Sequence, residues 1–265
     1  MVYVGACGYS YKEWVGPFYP EGLAARDYLA FYAQRFPLVE VDYTYYRMPT
    51  ARTLAALAGK TPPGFLFAVK ATASMTHERE ADAETFAQYR AALAPVVEAG
   101  KLACVLAQFP WSFRNVPDNR AYLARLREEL AAYPVVVEFR HEEWIRPEVF
   151  AYLQELGAGY CCVDQPRLRS LVPPVAQYTG EPAYVRFHGR NAAKWWRHDQ
   201  AGERYDYLYS EEELGEWVAR VRGLAGEAQR TLVAFNNHYA GQAIQNAQTF
   251  TDLLTAAGLA VASAG

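Results

Sequence analysis

Short apolar segments alternate along this chain with longer segments whose apolar residues recur every three or four positions. The short segments predict eight strands, at residues 2–7, 38–42, 65–70, 102–108, 135–139, 159–164, 183–188 and 231–236. The longer segments predict helices at residues 26–35, 51–58, 83–99, 119–131, 147–156, 211–224 and 242–256. Regular alternation of this kind is typical of parallel strands that are joined by crossover helices.

Eight strands in 265 residues favour closure into a single α/β barrel of the TIM type, a (β/α)8 fold that forms one domain over residues 1–265. The sixth strand–helix unit is irregular, because residues 165–182 contain four prolines and no clear helical period. This segment is predicted to be a long loop with at most a short helix. The small residues at positions 260–265 predict a tail that frays.

The predicted strands carry apolar residues on one alternating set of positions and polar residues on the other. Side chains two positions apart point to the same face, so the apolar set is expected to pack on the helices and the polar set to face the barrel axis. In seven of the eight strands the polar members lie at the C-terminal end; they are Glu40, Asp42, Lys70, Gln108, Glu138, Arg140, Asp164, Arg186, His188 and Asn236. Barrel enzymes keep their active sites at this end, so these residues predict a functional site at the mouth of the barrel.

A second interpretation of this polar ring is purely structural. Its acidic members could neutralise its lysine and arginines in a closed network of ion pairs. Such networks are often no better for stability than apolar packing. The sequence leaves both interpretations open.

The loops that follow the predicted strands are rich in aromatic and basic residues. They contain Tyr9, Trp14, Tyr45, Tyr46, His77, Trp111, Arg114, Arg190, Trp195, Trp196, Arg204, Tyr205 and Asn237. The whole chain carries a formal charge of −3, but acidic residues concentrate in the predicted helices. A locally basic and aromatic mouth is therefore predicted, which suits an anionic ligand that contains a ring. Alternatively, the aromatic residues only pack the loops against the barrel.

Composition and motifs argue against several classes of protein. The first residues lack the basic start and apolar run of a secretory signal, and no run of about 18 apolar residues could span a membrane, so a cytoplasmic location is expected. The four cysteines are predicted to be buried, free thiols; they are Cys7, Cys104, Cys161 and Cys162. No nucleotide-binding glycine loop, serine elbow or zinc-ligand spacing occurs. Separate strands could still bring Glu138, Asp164 and His188 to a metal ion, but the arginines of the ring oppose a divalent cation, and no cofactor is implied.

Several motifs spread over nearly the whole chain carry a family resemblance. They are Gly5-Ala-Cys-Gly-Tyr-Ser-Tyr with Trp14 and Phe18-Tyr-Pro; Val39-Glu-Val-Asp with Tyr45-Tyr-Arg-Met-Pro; Thr61-Pro; Phe65-x-Phe-Ala-Val-Lys with Thr76-His; Gln108-Phe-Pro; Val137-Glu-Phe-Arg-His with Trp144; Tyr184-Val-Arg-Phe-His-Gly-Arg; and Phe235-Asn-Asn. At these motifs the sequence resembles the YecE-like family, also called domain of unknown function seventy-two, a group of bacterial and archaeal barrel proteins. Tyr45 stands where that family often has phenylalanine. The resemblance implies the barrel fold and includes the polar ring, but it implies no reaction.

The first function consistent with these features is an enzyme that acts on a phosphorylated or otherwise anionic small molecule by acid–base chemistry. The anion would be held by Lys70, Arg140, Arg186 and Arg190. Glu138 or Asp164 would be the general base, and His188 would be the acid or an electrostatic stabiliser. Gln108 and Asn236 would orient substrate hydroxyls, and the remaining predicted binding residues are Glu40, Tyr9, Trp14, Tyr45, His77 and Asn237.

Two other classes of function stay open. A barrel that binds or processes nucleic acid could use the pairs Trp195-Trp196 and Tyr45-Tyr46 as stacking platforms. A non-catalytic barrel could hold the same anionic ligand without converting it. Glycoside hydrolysis by a carboxylate pair fits less well, because the many cations of the ring favour a charged ligand over a neutral sugar.

Overall fold

The computed structural model describes residues 1–265 with the exception of the side chain of Ala201. The described residues form the strands β1 (Val2–Cys7), β2 (Leu38–Val41), β3 (Leu66–Lys70), β4 (Leu102–Gln108), β5 (Val135–Glu138), β6 (Gly159–Asp164), β7 (Ala183–Phe187) and β8 (Thr231–Phe235). Each strand pairs in parallel with the next along the chain, and β8 pairs with β1, so the sheet closes into a barrel. The predicted TIM-type fold is thereby confirmed.

The α-helices begin and end close to most of the predicted positions. They are α1 (Tyr28–Tyr32), α2 (Ala51–Gly59), α3 (Ala73–Thr76), α4 (Ala83–Glu98), α5 (Pro117–Glu129), α6 (Pro147–Leu156), α7 (Glu211–Glu227) and α8 (Gln242–Ala256). Side chains that accept a backbone N–H cap three of their N-termini, namely Thr50 before α2, Asp82 before α4 and Ser210 before α7. The first helix is shorter than predicted, because a 3₁₀ turn at Ala25–Asp27 precedes α1.

The connection between β6 and β7 is the irregular one that the sequence predicts. Within the described part of the chain, residues 165–182 contain no helix. The short helix α3, which follows β3 directly, was not predicted from the sequence. It places His77, its C-terminal cap residue, next to the mouth of the barrel.

Apolar packing outside the barrel determines which side chains of the strands face the axis. On β7 and β8, Phe187 and Phe235 stack with ring centroids 4.6 Å apart and both contact Phe250 of α8. Burying an aromatic side chain of this kind contributes about 2 kcal/mol. Since neighbouring residues of a strand point to opposite faces, this packing turns Arg186 toward the axis.

The C-terminal tail differs from the frayed segment that the sequence predicts. The backbone N–H of Val2 donates to Ala260 at 2.9 Å, and that of Ala262 donates to Val2 at 2.8 Å. Because β2 pairs with β1 only from Gly5 onward, the first residues of β1 leave backbone groups that the tail can bind on that side. The small residues at 260–262 therefore continue the sheet at the N-terminal end of the barrel.

All four cysteines are buried and free, as the sequence predicts. Their burial raises the pKa of each thiol, so the neutral form is favoured. Among the helices that the structure describes, none has both the length and the apolar character needed to cross a membrane.

Candidate functional site

Polar side chains converge on the barrel axis at the C-terminal ends of six strands. They form the mouth ring, which consists of Glu40, Asp42, Lys70, Gln108, Glu138, Arg140, Arg186, His188 and Asn236. The alternation of polar and apolar residues places every one of these side chains correctly. Alternation also predicts a ring member on β6, Asp164, but this strand contributes no charged side chain to the ring.

An ion-pair chain runs through the buried part of the mouth ring. Arg186 donates to Glu40 Oε1 at 2.7 Å and also to Glu138 Oε2. On the other side of Glu138, Arg140 Nε lies 2.7 Å from Oε1. Tyr184 donates its hydroxyl proton to Glu40 Oε2 at 2.7 Å. This part of the ring is the closed network that the sequence offers as a structural alternative.

The charges in this chain stabilise one another. Burial alone would raise the pKa of Glu138, but Arg140 and Arg186 hold it well below the usual range. Burial opposes the charged form of Arg186, whereas Glu138 and Glu40 raise its pKa well above the ordinary value. Glu138 is therefore an ionised and fully engaged carboxylate. A general base needs a free lone pair and a pKa near the working pH, so this geometry does not favour the predicted base role.

His188 is buried beside Glu138 in a single protonation state. Asn236 donates its amide N–H to His188 Nδ1 at 3.0 Å, so the ring proton lies on Nε2 and is donated to Glu138 at 3.0 Å. Burial and the nearby Arg140 lower the pKa of His188 to about 3. The imidazole is neutral at physiological pH and orients Glu138. This arrangement does not favour the acid role that the sequence predicts.

Asp164 and Arg190 lie outside the mouth ring. Asp164 departs from the orientation that alternation predicts, and Arg190, of the seventh loop, departs from its predicted role in holding the anion. Asp164 points outward and accepts two hydrogen bonds from Arg190, both at 2.8 Å. It accepts two more from Tyr209 and Trp217, also at 2.8 Å. All four donors come from the segment between β7 and the middle of α7, and they fill the acceptor sites of the carboxylate. This cluster anchors the seventh loop on the outer wall.

The inward side of β6 belongs to Cys161 and Val163 instead. Cys161 pairs in register with Tyr184 and lies 4.0 Å from Glu138 Oε2. The sequence pattern is wrong by one position in this strand. The prediction fails here because the residues on both faces of this strand are buried, so apolar character does not distinguish the two faces; these residues are Tyr160, Cys161, Cys162 and Val163.

Two further predicted binding residues have structural contacts. Asn237 donates to the carbonyl oxygen of Tyr207 and to the side chain of Asn246, both at 2.8 Å, behind the eighth loop. Trp14 is fully buried and donates its indole N–H to the carbonyl oxygen of His238 at 2.7 Å. Trp14 therefore matches the alternative in which aromatic residues pack the loops.

The mouth ring encloses a small polar space, the inner cavity. Its lining consists of Asp42, Tyr46, Lys70, Gln108, Arg140, Arg186, Tyr205, Asn236 and His238. The volume is about 100 Å³, which is roughly three times the space that one water molecule takes in the liquid. A carboxylate, a phosphate or a three-carbon acid matches this volume, whereas a nucleotide is too large.

Lys70 enters the inner cavity from the end of β3 with its amine free of a counter-ion. Among the described residues, no carboxylate oxygen lies within 4.0 Å of this amine. The amine lies 4.6 Å from the ring centroid of Tyr45, which His77 supports in an edge contact at 4.7 Å. Burial and the charge of Arg186 lower the pKa of Lys70 to about 8.

Asp42 is the acidic group that faces Lys70 across the inner cavity. Burial and the negative charge of Glu40 raise the pKa of Asp42, while Lys70 acts in the opposite direction. The pKa values of Lys70 and Asp42 are therefore closer together than those of a free lysine and a free aspartate. A smaller difference in pKa favours proton transfer through a substrate that lies between two such groups. Tyr9 lies behind them, where burial and the charge of Asp42 raise the pKa of its phenol.

A wider outer cleft continues from the inner cavity. It has a volume of about 230 Å³ and is lined by His77, Gln108, Pro110, Trp111, Arg140, Leu171, Trp195, Trp196, Arg204 and Tyr205. Gln108, Arg140 and Tyr205 line both spaces. The exposed indoles are Trp111, at 40%, and Trp196, at 56%, whereas Trp195 is buried at 3%. The predicted Trp195-Trp196 pair thus offers only Trp196 as a stacking surface.

Sequence reasoning did not select His238, Tyr205, Arg204 and Leu171 as binding residues. The first three occur in loops that the sequence marks as aromatic and basic, but loop residues carry no alternation from which an orientation can be read. Leu171 comes from the irregular sixth connection. No sequence signal points to it.

The described residues contain no group of three histidine, cysteine, aspartate or glutamate side chains that could share a metal ion. The three residues named above as a possible metal site do not converge. Glu138 and His188 are in contact, but Asp164 points to the outer wall.

Comparisons with known proteins agree with the fold and its closed barrel. Residues 3–264 match the family model described as "Protein of unknown function DUF72". The UPF0759 protein YunF of Bacillus subtilis (strain 168) is 32% identical over 270 residues, which cover 96% of this chain and 95% of that protein. A DUF72 family protein (TM1631) from Thermotoga maritima MSB8 has a crystal structure with a TM-score of 0.88 and 40% identity, covering 96% of this chain and 99% of that one.

A second crystal structure, of a DUF72 family protein (EF0366) from Enterococcus faecalis V583, has a TM-score of 0.87 and 26% identity. It covers 100% of this chain and 98% of that chain. The family match extends over nearly the whole sequence, including every strand that supplies the mouth ring. This chain therefore belongs to the DUF72 family of barrel proteins.

Proposed function

We propose that this protein is an enzyme that binds a small anionic molecule in the inner cavity and converts it by acid–base chemistry. The observation that carries the proposal is a pair of cationic side chains, Lys70 and Arg140, whose terminal nitrogens no carboxylate occupies. The Nε of Arg140 lies 2.7 Å from Glu138 Oε1, and the terminal nitrogens of Arg140 have no hydrogen-bond partner among the described residues. Lys70 likewise has no counter-ion. An anion between them would satisfy both groups.

The ion-pair chain beneath this site supports the same proposal. Glu138 and Arg186 are occupied by their neighbours, so they hold Arg140 in place without taking its terminal nitrogens. A guanidinium held in this way loses little freedom when it binds a carboxylate or a phosphate. The ion-pair chain therefore supports the binding groups. The structural interpretation of the ring applies to Glu138 and Arg186, and the functional interpretation applies to Lys70 and Arg140.

The acid–base part of the proposal rests on Lys70 and Asp42 instead of Glu138, Asp164 and His188, to which the sequence assigns that role. Both line the inner cavity, where a small substrate would lie between them. The lowered pKa of Lys70 and the raised pKa of Asp42 bring the two acidities closer together, which favours proton transfer through the substrate. The outer cleft would receive any larger part of the substrate, against the exposed faces of Trp111 and Trp196.

Sulfate affinity is expected to fall as Lys70 loses its proton. The lowered pKa of about 8 means that the amine is charged below that pH and neutral above it. Between about pH 7 and about pH 9.5 the dissociation constant should therefore rise about tenfold. Isothermal titration calorimetry with sulfate measures this directly, because the charge of sulfate is constant over the range. His77, whose pKa burial and Lys70 lower to about 4, stays neutral throughout.

The matched variants are Lys70→Met and Lys60→Met. Lys60 is an exposed lysine outside the mouth, so Lys60→Met should bind sulfate like the parent protein and keep the pH dependence. Lys70→Met should bind weakly at every pH, provided that its thermal melt shows a folded protein. Sulfate binding that is independent of both pH and Lys70 would refute the proposed anion site.

A further inference from the structure

Two buried or half-buried lysines of this protein have contrasting surroundings. Lys101 lies at the start of β4, and its amine donates to the carbonyl oxygens of Ala58 and Thr61, both at 2.7 Å, and to the Thr61 hydroxyl at 3.0 Å. Its three protons are all bound, as a structural ammonium requires. Lys70 has none of these acceptors and faces an open cavity. A lysine that is placed without acceptors is poorly suited to serve as a permanent ammonium.

We infer that Lys70 is a nucleophile that forms an imine with a small 2-oxo acid bound in the inner cavity. The inference rests on the proposed function, because the terminal nitrogens of Arg140 would hold the carboxylate of the acid. The carbonyl carbon would then lie next to the amine of Lys70. The volume of about 100 Å³ fits a three-carbon 2-oxo acid, which is roughly the size of three water molecules.

The surroundings of Lys70 supply the conditions that amine attack requires. Only the neutral amine is a nucleophile, and lysines become nucleophilic through desolvation or through a neighbouring cation. Both conditions occur here, since the amine is shielded by the Tyr45 ring and lies near Arg186. At pH 7.5 about a quarter of the Lys70 side chains would be neutral, compared with about a thousandth for an ordinary lysine.

The reaction balances with groups already present in the inner cavity. The nitrogen lone pair forms a bond to the carbonyl carbon, and the carbonyl π electrons move to oxygen, which takes up a proton. Loss of a proton from nitrogen gives a neutral carbinolamine. Proton donation by Asp42 then lets the hydroxyl group leave as water while the carbon–nitrogen double bond forms, and the resulting iminium nitrogen returns a proton to the Asp42 carboxylate. The net change is amine plus ketone to imine plus water, with no oxidant or reductant.

Reductive trapping tests this inference. The protein is incubated with pyruvate and sodium cyanoborohydride at pH 7.5, and each lysine peptide is then quantified by mass spectrometry. The reference lysines are Lys12, Lys60, Lys101 and Lys194. The reduced adduct is expected to form about 250-fold faster on Lys70 than on the exposed Lys60, in proportion to their neutral fractions.

Two controls separate the reaction at Lys70 from general modification. Sulfate, which competes for the Arg140 site, should slow the adduct on Lys70 and leave the adduct on Lys60 unchanged. The Lys70→Met variant should lose the fast adduct, while Lys60→Met should keep it. The competition control uses the parent protein, so it remains decisive even if Lys70→Met does not fold.

The possible results distinguish this inference from the proposed function. If sulfate binds with the expected pH dependence but pyruvate modifies Lys70 no faster than Lys60, the imine is refuted and the anion site stands. If sulfate does not bind and Lys70 shows no preferential adduct, both are refuted. A fast adduct on Lys70 that sulfate suppresses supports both.

Discussion

Replacing Arg186 with methionine is expected to lower the free energy of unfolding by about 3–5 kcal/mol, because it leaves two buried carboxylates without their shared cation. Glu40 and Glu138 are fully buried, and Arg186 contacts both of them. For a chain of this size, a loss of this magnitude corresponds to a decrease in melting temperature of about 10 °C. Thermal unfolding followed by circular dichroism or calorimetry measures the change.

The loss of unfolding free energy in Arg186→Met should depend on pH and should be smaller in mild acid than at pH 7. Without Arg186, the pKa of Glu138 is expected to rise, because only Arg140 and His188 then oppose the effect of burial, so the folded variant binds a proton at a higher pH than the folded parent protein. Stability lost at pH 7 is therefore expected to return in part as the pH falls toward about 5. In the parent protein the pKa of Glu138 is lowered, so its contribution is present above the ordinary glutamate pKa and disappears only in stronger acid.

A rescue variant and a surface control give this prediction its specificity. Adding Glu40→Gln and Glu138→Gln to Arg186→Met removes the unpaired charges and should restore part of the stability. Arg26→Met should have little effect, because Arg26 is exposed and lies 3.7 Å from an exposed Asp27. A melting temperature of Arg186→Met equal to that of the parent protein would show that the ion-pair chain does not hold the mouth together.

Replacing Arg140 with glutamine is expected to weaken sulfate binding about 100-fold, because a charge-assisted hydrogen bond to the anion is lost. The substitution also removes one of the two arginines that compensate Glu138, and the less fully compensated carboxylate would oppose an anion in the inner cavity. Calorimetric titration at pH 7 gives the two dissociation constants. Glu138 keeps its contacts with Arg186 and His188, so the variant is expected to remain folded.

Arg114→Gln is the matched control for this second experiment. Arg114 lies in the fourth loop and is paired with Glu143 outside both cavity linings. Its replacement removes one positive charge from the same end of the barrel without touching the inner cavity. Equal sulfate affinities of Arg140→Gln and Arg114→Gln would indicate a diffuse attraction to the basic mouth, in place of a defined site.

The barrel and most of its mouth could be predicted from sequence because one physical constraint governs them. Closed parallel strands must place apolar residues against the helices, so any polar residue on the other alternating set has to face the axis. Lys70, Glu138 and Arg186 follow this rule, since Val69, Val137 and Phe187 beside them are buried. The family resemblance, confirmed by the whole-length match, depends on the same segments.

The orientation of Asp164 could not be predicted from the alternation of polar and apolar residues. Its strand is apolar on both faces, so the only clue to orientation was the charge of the aspartate itself. The deciding contacts come from Arg190, Tyr209 and Trp217, which lie 26–53 residues further along the chain. Side-chain contacts between residues so far apart in sequence produce no local sequence pattern from which they could be predicted. The same applies to Asn237, whose partner Asn246 lies in α8.

The chemistry of individual ring members also could not be read from sequence. Glu138 and His188 have the residue types of a base and an acid, but their neighbours occupy them fully. Alternation predicts that Lys70 and Asp42 face the axis, but only the structure shows that both line one small cavity and that Lys70 has no counter-ion there. Whether a charged side chain is paired or free depends on contacts between strands that are distant in sequence. The nucleic-acid and non-catalytic alternatives stay predictions.

The most direct test of the site is a crystal structure of the protein grown with selenate, a sulfate analogue whose selenium atom is located by anomalous scattering. An anion held between Lys70 and Arg140 predicts the strongest anomalous peak in the inner cavity, within hydrogen-bond distance of both side chains. Selenate should be supplied at a concentration that saturates sulfate binding in solution. An inner cavity without a peak, in crystals where selenate binds only at the outer surface, would contradict the assignment of the mouth ring as an anion site.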